Sequence, residues 1–512
     1  MILPGRNPSY WEQRHSRPEH PALKGDISVD VAVVGGGITG LSTALQLQRE
    51  GKSVAVLELN RVGSGTTGHS TGHLDAHVEP SLHNLVEQFG RPAARIVVEA
   101  RMAGIDLVEH NCRMLGLACD FQRIPAYYYA ETQGDRDLVK QELAAAQRLG
   151  LRAELREGDP LPFDIDWSVR LPRQARFSPL AYVYGLAAAF VEAGGVLCEQ
   201  TRAENIEPRE GETCEVKTNG GIVTAGTVVL AGHGPMLGLF STEPRVYPYQ
   251  SYVLALRVEE DVPDGLYWDT AEPYHYTRLA ATDEPDLLIV GGADHPTGGV
   301  RDEQQAFDAL EQYVHERYTV KRIEHRWSHE LWVSADGLPY IGEVPGMTGV
   351  MIATGFGGDG LTYGSLAGLL LSDAVMGREN AWAEQFSPSR VRSLAHPKAA
   401  ARLAAGVLHV ARHFVGDRLS GGEVASVDEV PEGAGRLVEV GGEKLAVYRD
   451  TDGKVHAMSP VCRHRGCLVS WNDAEKTWDC PCHGGRYDAW GRVIMGPPES
   501  DLPVREVRAV KE

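Results

Sequence analysis

Four of the chain's eight cysteines are crowded between Cys462 and Cys482, in the runs Cys462-Arg-His464-Arg-Gly-Cys467 and Cys480-Pro-Cys482-His483-Gly-Gly. Fifteen residues separate His464 from Cys480, so two loops, each with a Cys/His pair, are set to close on one centre. Two thiolates suit one iron and two imidazoles another, and exchanging thiolate for neutral imidazole removes negative charge and raises the reduction potential. A structural zinc site draws on the same donors. After about Gly421 the texture turns to short alternating runs (RLVEVGG, KLAVYRD, KVHAMSP) punctuated by Gly and Asp, which predicts a small all-β domain. The other cysteines, Cys112, Cys119, Cys198 and Cys214, have no ligand spacing and read as buried or inert thiols.

The paired loops resemble those of Rieske proteins, and Gly496-Pro497-Pro498 resembles the proline loop that covers a Rieske cluster. By that resemblance Cys462 and Cys480 ligate one iron of a [2Fe–2S] cluster and His464 and His483 the other. It also implies a disulfide between Cys467 and Cys482, an awkward bond for a reducing cytosol. Respiratory-type relatives carry Ser where this chain has Gly485, while Tyr487, the other usual donor to cluster sulfur, is present. Fewer hydrogen bonds leave a reduced cluster less stabilised, so a potential below the respiratory end of the range is expected. Arg465 is instead typical of the oxygenase-associated ferredoxins.

At the other end, the β-branched run VDVAVVG leads through Gly35-Gly36-Gly37-Ile38-Thr39-Gly40 into the helical pattern LSTALQLQREG, followed by a second strand, SVAVLEL. This is a βαβ unit whose first turn fits GxGxxG: Gly35, Gly37 and Gly40 let the backbone approach a pyrophosphate at a helix N-terminus. Glu58, closing the second strand, is placed for a ribose. The fingerprint alone does not separate FAD from NAD. Arg61-Val-Gly63-Ser-Gly65-Thr66-Thr67-Gly68-His69, Asp336-Gly-Leu-Pro-Tyr-Ile-Gly342 and Ala353-Thr354-Gly355-Phe356-Gly357-Gly358-Asp359-Gly360-Leu361-Thr362 resemble the amino-acid and amine oxidase family of flavoenzymes, in its order, over roughly residues 25 to 385.

That resemblance implies FAD, held by Thr66 and Thr67 and by a late loop whose Gly355, Gly357, Gly358, Gly360 and Thr362 open a helix toward the flavin pyrimidine. It also puts His69 at the flavin, where dimethylglycine and sarcosine dehydrogenases bond a matching histidine covalently; simple packing is the other reading. His69 and His73 have i, i+4 spacing, but a metal pair is discounted for want of an acidic third ligand. Tyr247, Tyr249, Tyr274, His275, Tyr276 and Arg278 cluster in mid-chain strands. Tyr249, Tyr276 and Arg278 are the catalytic candidates, with Arg278 a bidentate clamp for a carboxylate; ordinary strand aromatics and a surface cation are the alternative.

The expected architecture is an α/β Rossmann-like FAD-binding domain with a mixed-sheet substrate domain, plus a small all-β Rieske domain. FAD-binding parts fall at about 25–80, 175–240 and 335–385 and substrate-domain parts at about 81–174 and 241–334, within residues 1–385. A connecting helix over 386–418 leads to the Rieske domain over 419–512. The family resemblance implies oxidation of an amino acid or N-methylated amine at a C–N bond. Electrons would pass singly from flavin to cluster to an external acceptor; a redox relay or reductase without an amine substrate is the other class of function. With 50 Lys plus Arg against 70 Asp plus Glu, the net charge of −20 repels nucleic acid and anionic lipid. The stretch MILPGRNPSYWEQRHS lacks the pattern of a secretory signal, and Gly349 to Met376 is broken by Asp359 and Asp373, so a cytoplasmic protein without a membrane anchor is expected.

Overall fold

The computed structural model describes residues 7–77, 81–158, 160–209, 213–234, 243–299 and 303–506; Met1–Arg6 of the N-terminal stretch lie outside the described residues. The strand Ile27–Val34 pairs in parallel with Val54–Leu57 on one side and Gly221–Leu230 on the other. Val31, Ala32, Val33 and Val34 are all buried, because a parallel strand covered on both faces has no polar side to present. Helix Ile38–Arg49 supplies the crossover and buries Leu41, Ala44, Leu45 and Leu47. Each such Val or Leu contributes about 1.5–3 kcal/mol relative to exposure. The sheet extends through Val350–Thr354 at one side and Val196–Cys198 at the other, so segments far apart in sequence end along one edge.

A second, mixed sheet is centred on Val246–Val258, which pairs antiparallel with Glu284–Pro296 and Val320–Ser334. It continues through Tyr276–Ala281 and Leu266–Asp269 to Gln122–Ala130 and Trp167–Arg176. The apolar stretch Gly349 to Met376 forms the strand Val350–Thr354 and the helix Gly360–Val375. Beyond it, a three-stranded sheet (Ala434–Val440, Glu443–Arg449, Val455–Met458) and a four-stranded one (Ser470–Asn472, Thr477–Asp479, Arg486–Tyr487, Val493–Met495) make the small all-β domain. Its core includes Trp471, Trp478, Tyr487 and Leu502.

Between the halves runs helix Pro397–Leu419, with Pro in its first turn, where the missing N–H costs nothing. It touches both sides. The Tyr247 ring packs against Gly406 and its hydroxyl donates to the Leu403 carbonyl at 3.3 Å, while His409 Nε2 lies 3.1 Å from the Pro481 carbonyl. Among the described residues no helix is long and apolar enough to cross a membrane.

Candidate functional site

One cavity of about 630 Å³ opens along the carboxyl edge of the parallel sheet. Gly35, Gly37, Glu58, Thr66 and Thr67 line it at one side, and Phe356 to Leu361 line it at another. Gly40 lies outside the lining but makes the turn possible: a Cβ there would collide with the Gly35 carbonyl oxygen. Helix Ile38–Arg49 begins without a side-chain cap, as does Gly360–Val375. Two helix N-termini thus turn toward the cavity, where the helix dipole favours anionic groups. Glu58 accepts from the Gly36 amide at 2.7 Å and the Asn60 amide at 2.8 Å, which fixes its carboxylate at the cavity wall. A carboxylate has lone pairs beyond these two. A dinucleotide with a central pyrophosphate fits this donor set.

The other residues expected there are placed as follows. Thr67 Oγ1 accepts from the Ile38 amide at 3.2 Å, and Thr66 donates to the Glu330 carbonyl at 3.1 Å. Gly357, Gly358 and Gly360 line the cavity, whereas Gly355 and Thr362 sit behind it, Thr362 accepting from the Asp75 amide at 3.4 Å. His69 is 1 % exposed, with Nδ1 3.3 Å from the Gly65 carbonyl and Nε2 3.3 Å from Glu12. It is not among the residues that line the cavity, lying between Glu12 and the Gly65 carbonyl close behind the lining residue His329. It also lies in a 3-10 turn while His73 lies in a strand, so the two share no helix face.

The mid-chain cluster divides. Tyr274 and Tyr276 line the cavity, with the Tyr276 hydroxyl 2.9 Å from that of Ser251. His275 turns away, stacked on Tyr313 and bonded to Asp269 at 2.7 Å. Tyr249, half-buried in its strand, is not a lining residue. Arg278 is a clear correction: it is 0 % exposed and donates to the carbonyls of Gly72, Phe177 and Ala280 at 3.2–3.3 Å. Its guanidinium lies 5.3 Å from the Trp11 ring centroid, and burial, with Arg176 next, lowers its pKa to about 9. Bound to backbone inside the core, it has no path to a substrate carboxylate.

Sequence reasoning picked out Tyr274 and Tyr276 but missed the rest of the wall. Tyr128, His77, Trp268, His73, Tyr276 and Tyr274 form a continuous arc of ring contacts with centroid separations of 5.0–6.0 Å. His77 Nε2 lies 3.0 Å from Glu142. Burial pulls the His77 pKa down, but Glu142, Asp75 and Asp359 outweigh it and the net shift is upward. His73 goes the other way, lowered by burial and then by the charge of Arg278. At the far side His233 and His329 also line the cavity, driven by burial to about 4 and about 3.

In the small domain Cys467 and Cys482 are joined by a disulfide. Cys462 and Cys480 are buried, and the hydrogen bond from Cys480, then that from Tyr487 at 3.3 Å, lowers the Cys462 pKa. The rings of His464 and His483 lie 4.8 Å apart. Two neighbouring thiols and two neighbouring imidazoles form a donor set that fits a [2Fe–2S] cluster with mixed ligation. Gly485 has a steric reason: a side chain there would run into Pro498 of the covering loop.

The two halves meet at the cavity. Ile494 to Glu499 of the small domain line it. Asn60 Nδ2 donates to the Ile494 carbonyl at 3.1 Å, and Arg202 reaches the Glu499 carbonyl at 3.3 Å and Asp501 at 3.1 Å. On the other side Gly484 packs against Glu330. Glu330 is 0 % exposed, and burial pushes its carboxyl well above the usual range despite Arg486 nearby.

Family models match residues 30–374 as FAD dependent oxidoreductase and residues 422–506 as Rieske [2Fe-2S] domain. The chain is 31% identical over 494 residues to the putative Rieske 2Fe-2S iron-sulfur protein YhfW of Bacillus subtilis, covering 96% of both chains. It is 26% identical over 374 residues to gamma-glutamylputrescine oxidoreductase of Escherichia coli, covering 69% of this chain and 85% of that one. Glycine oxidase from Geobacillus kaustophilus superposes with a TM-score of 0.60 at 22% identity over 71% of this chain and 99% of that one, a likeness of fold. The glycine turn, the uncapped helices and the paired Cys/His loops agree with these matches: the chain belongs to the FAD-dependent oxidoreductase family and carries a Rieske [2Fe-2S] domain at its C-terminal end.

Proposed function

We propose that the chain is an amine dehydrogenase that oxidises a C–N bond and sends the electrons through its own Rieske domain to an external one-electron acceptor. When bound, FAD accepts two electrons from such a bond, and a [2Fe–2S] cluster passes them on one at a time. FAD would be held by Gly35, Gly37, Glu58, Thr66, Thr67 and Gly357 to Gly360, and the cluster by Cys462, Cys480, His464 and His483.

The aromatic arc carries the choice of substrate. The faces of Tyr128, Trp268, Tyr274 and Tyr276 attract a cation by their quadrupoles, more strongly where water is excluded. Asp269, 5 % exposed, and Glu142, 1 % exposed, add negative charge to the same end. Among the described lining residues there, the one Lys or Arg is Lys398, which donates to Asn84 at 2.8 Å and pairs with Glu87. With Arg278 withdrawn into the core, an N-methylated or primary amine suits this end better than a free amino-acid carboxylate. Two supporting roles follow. Tyr276, braced by Ser251, orients the substrate, and His77, kept protonatable by Glu142, exchanges a proton at Nε2 near neutral pH. The family resemblance to gamma-glutamylputrescine oxidoreductase is in keeping with an amine.

Anaerobic stopped-flow absorbance of the iron-reconstituted holoprotein tests this, with a panel of amines, N-methylglycines and amino acids alongside NADH and NADPH. Bleaching of the flavin band by an amine, followed by fading of the cluster bands, is the expected result. Bleaching by a pyridine nucleotide alone would make the chain a reductase with the opposite direction of electron flow.

A further inference from the structure

The Rieske domain touches the FAD cavity at a place that electron transfer does not require. Glu58, the ribose carboxylate of the dinucleotide fold, marks the adenosine end of the site. Beyond it the wall is made by Leu59 and Asn60, by Thr201 to Ala203, and by the small-domain loop Ile494 to Glu499. That loop is pinned there from the oxidoreductase side by Asn60 on the Ile494 carbonyl and by Arg202 on Glu499 and Asp501. Its own composition, Ile-Met-Gly-Pro-Pro, is apolar and conformationally restricted. An apolar, preorganised surface suits the flat face of a purine, while the charged pyrophosphate goes to the helix N-terminus at Gly37 and Ile38.

We propose that the loop Ile494–Glu499 is part of the FAD site: the Rieske domain binds the adenosine half of the flavin cofactor held by the other domain. The same loop packs Pro498 against Gly485, close to Cys462, so one short segment has FAD on one face and the cluster on the other. Holding FAD is then a joint property of both domains, and the docked position of the Rieske domain is tied to whether FAD is present.

The test uses the full chain with its cluster in place and its FAD removed. ADP, the adenosine half alone, is added, and amide hydrogen exchange is followed in the peptide spanning 493–501. Slower exchange on ADP addition is expected. In parallel, FAD affinity is measured by quenching of flavin fluorescence for M495A, which removes apolar contact from the loop. Its Kd should rise about tenfold, the size expected for losing a few tens of Å² of apolar contact, with the visible spectrum of the cluster unchanged. Should M495A lose its cluster, D501A replaces it, since Asp501 is half exposed, holds the loop through Arg202 and lies outside the cavity. Exchange that ignores ADP, or an unchanged FAD Kd in the variant that keeps its cluster, overturns the proposal.

Discussion

The two ends of the cavity treat charge in opposite ways. At the substrate end, Glu142 beside His77 raises the histidine's pKa in spite of burial. At the end that meets the Rieske domain, burial drives His233 and His329 to about 4 and about 3 and pushes the Glu330 carboxyl up. In all three, burial favours the uncharged form. A fixed charge in so dry a region acts strongly on everything near it. The seam between the two redox sites is built from groups that could ionise but whose burial favours the neutral form, whereas the substrate end pairs its ions.

The comparison breaks first if the seam tolerates a charge. His329→Lys should cost about 3–5 kcal/mol of stability in urea unfolding, because the ammonium has no partner there; a loss under about 1 kcal/mol would mean water already reaches this end. Next comes the paired end. Glu142→Gln should lower kcat/KM for a cationic amine by about ten- to a hundredfold and move the pH profile set by His77 toward acid, since its raising partner is gone. An unchanged profile would detach His77 from turnover.

The two histidines His329 and His77 should also give stability slopes of opposite sign with pH. The folded His329 pKa lies below its ordinary value of 6.5, so the unfolded chain binds the extra proton first, and stability falls as pH drops from about 6.5 toward about 3. For His77, whose folded pKa is raised, the contribution is full below the ordinary value and disappears as pH rises through the folded one. Each group's slope is at most about 1.4 kcal/mol per pH unit, and His329→Gln should reduce the acid-side slope while leaving the share of His233, whose pKa burial also lowers. A smaller effect sharpens the contrast on the cluster side, where a hydrogen bond replaces charge. Tyr487→Phe removes the donor to Cys462 and should lower the cluster's reduction potential by roughly tens of millivolts in a redox titration. Least of all, Glu330→Gln should change stability by less than about 0.5 kcal/mol, since burial already favours the neutral form of the carboxyl.

What could be read from the sequence follows from how each site is assembled. The paired Cys/His motifs lie on two short loops, and the glycine turn is contiguous, so their spacing marked them in the sequence, while the assignment of ligands came from the Rieske resemblance. The cavity wall is assembled by strand pairing: Tyr128 and Trp268 come together because Leu266–Asp269 runs parallel to Gln122–Ala130, and no local pattern announces that. Arg278 was misread for a related reason. Neighbouring strand residues face opposite sides, and a bulge in the pairing between Leu279 and Ala281 blurs the alternation further. Glu330 sat inside a strand with several other charged residues, Val320–Ser334, and nothing marked its carboxyl as the one facing a second domain. Cys112 and Cys119, read as unrelated thiols, lie 3.1 Å apart across the turn that ends helix Leu82–Leu115.

The helix Pro397–Leu419, seated on Tyr247 at one point and on the Pro481 carbonyl at another, does more than space the two halves. Two domains on one chain meet at an effective concentration on the order of millimolar for a short tether. Any exchange between them is then first order, indifferent to how dilute the protein becomes, whereas a relay between separate proteins slows with every dilution.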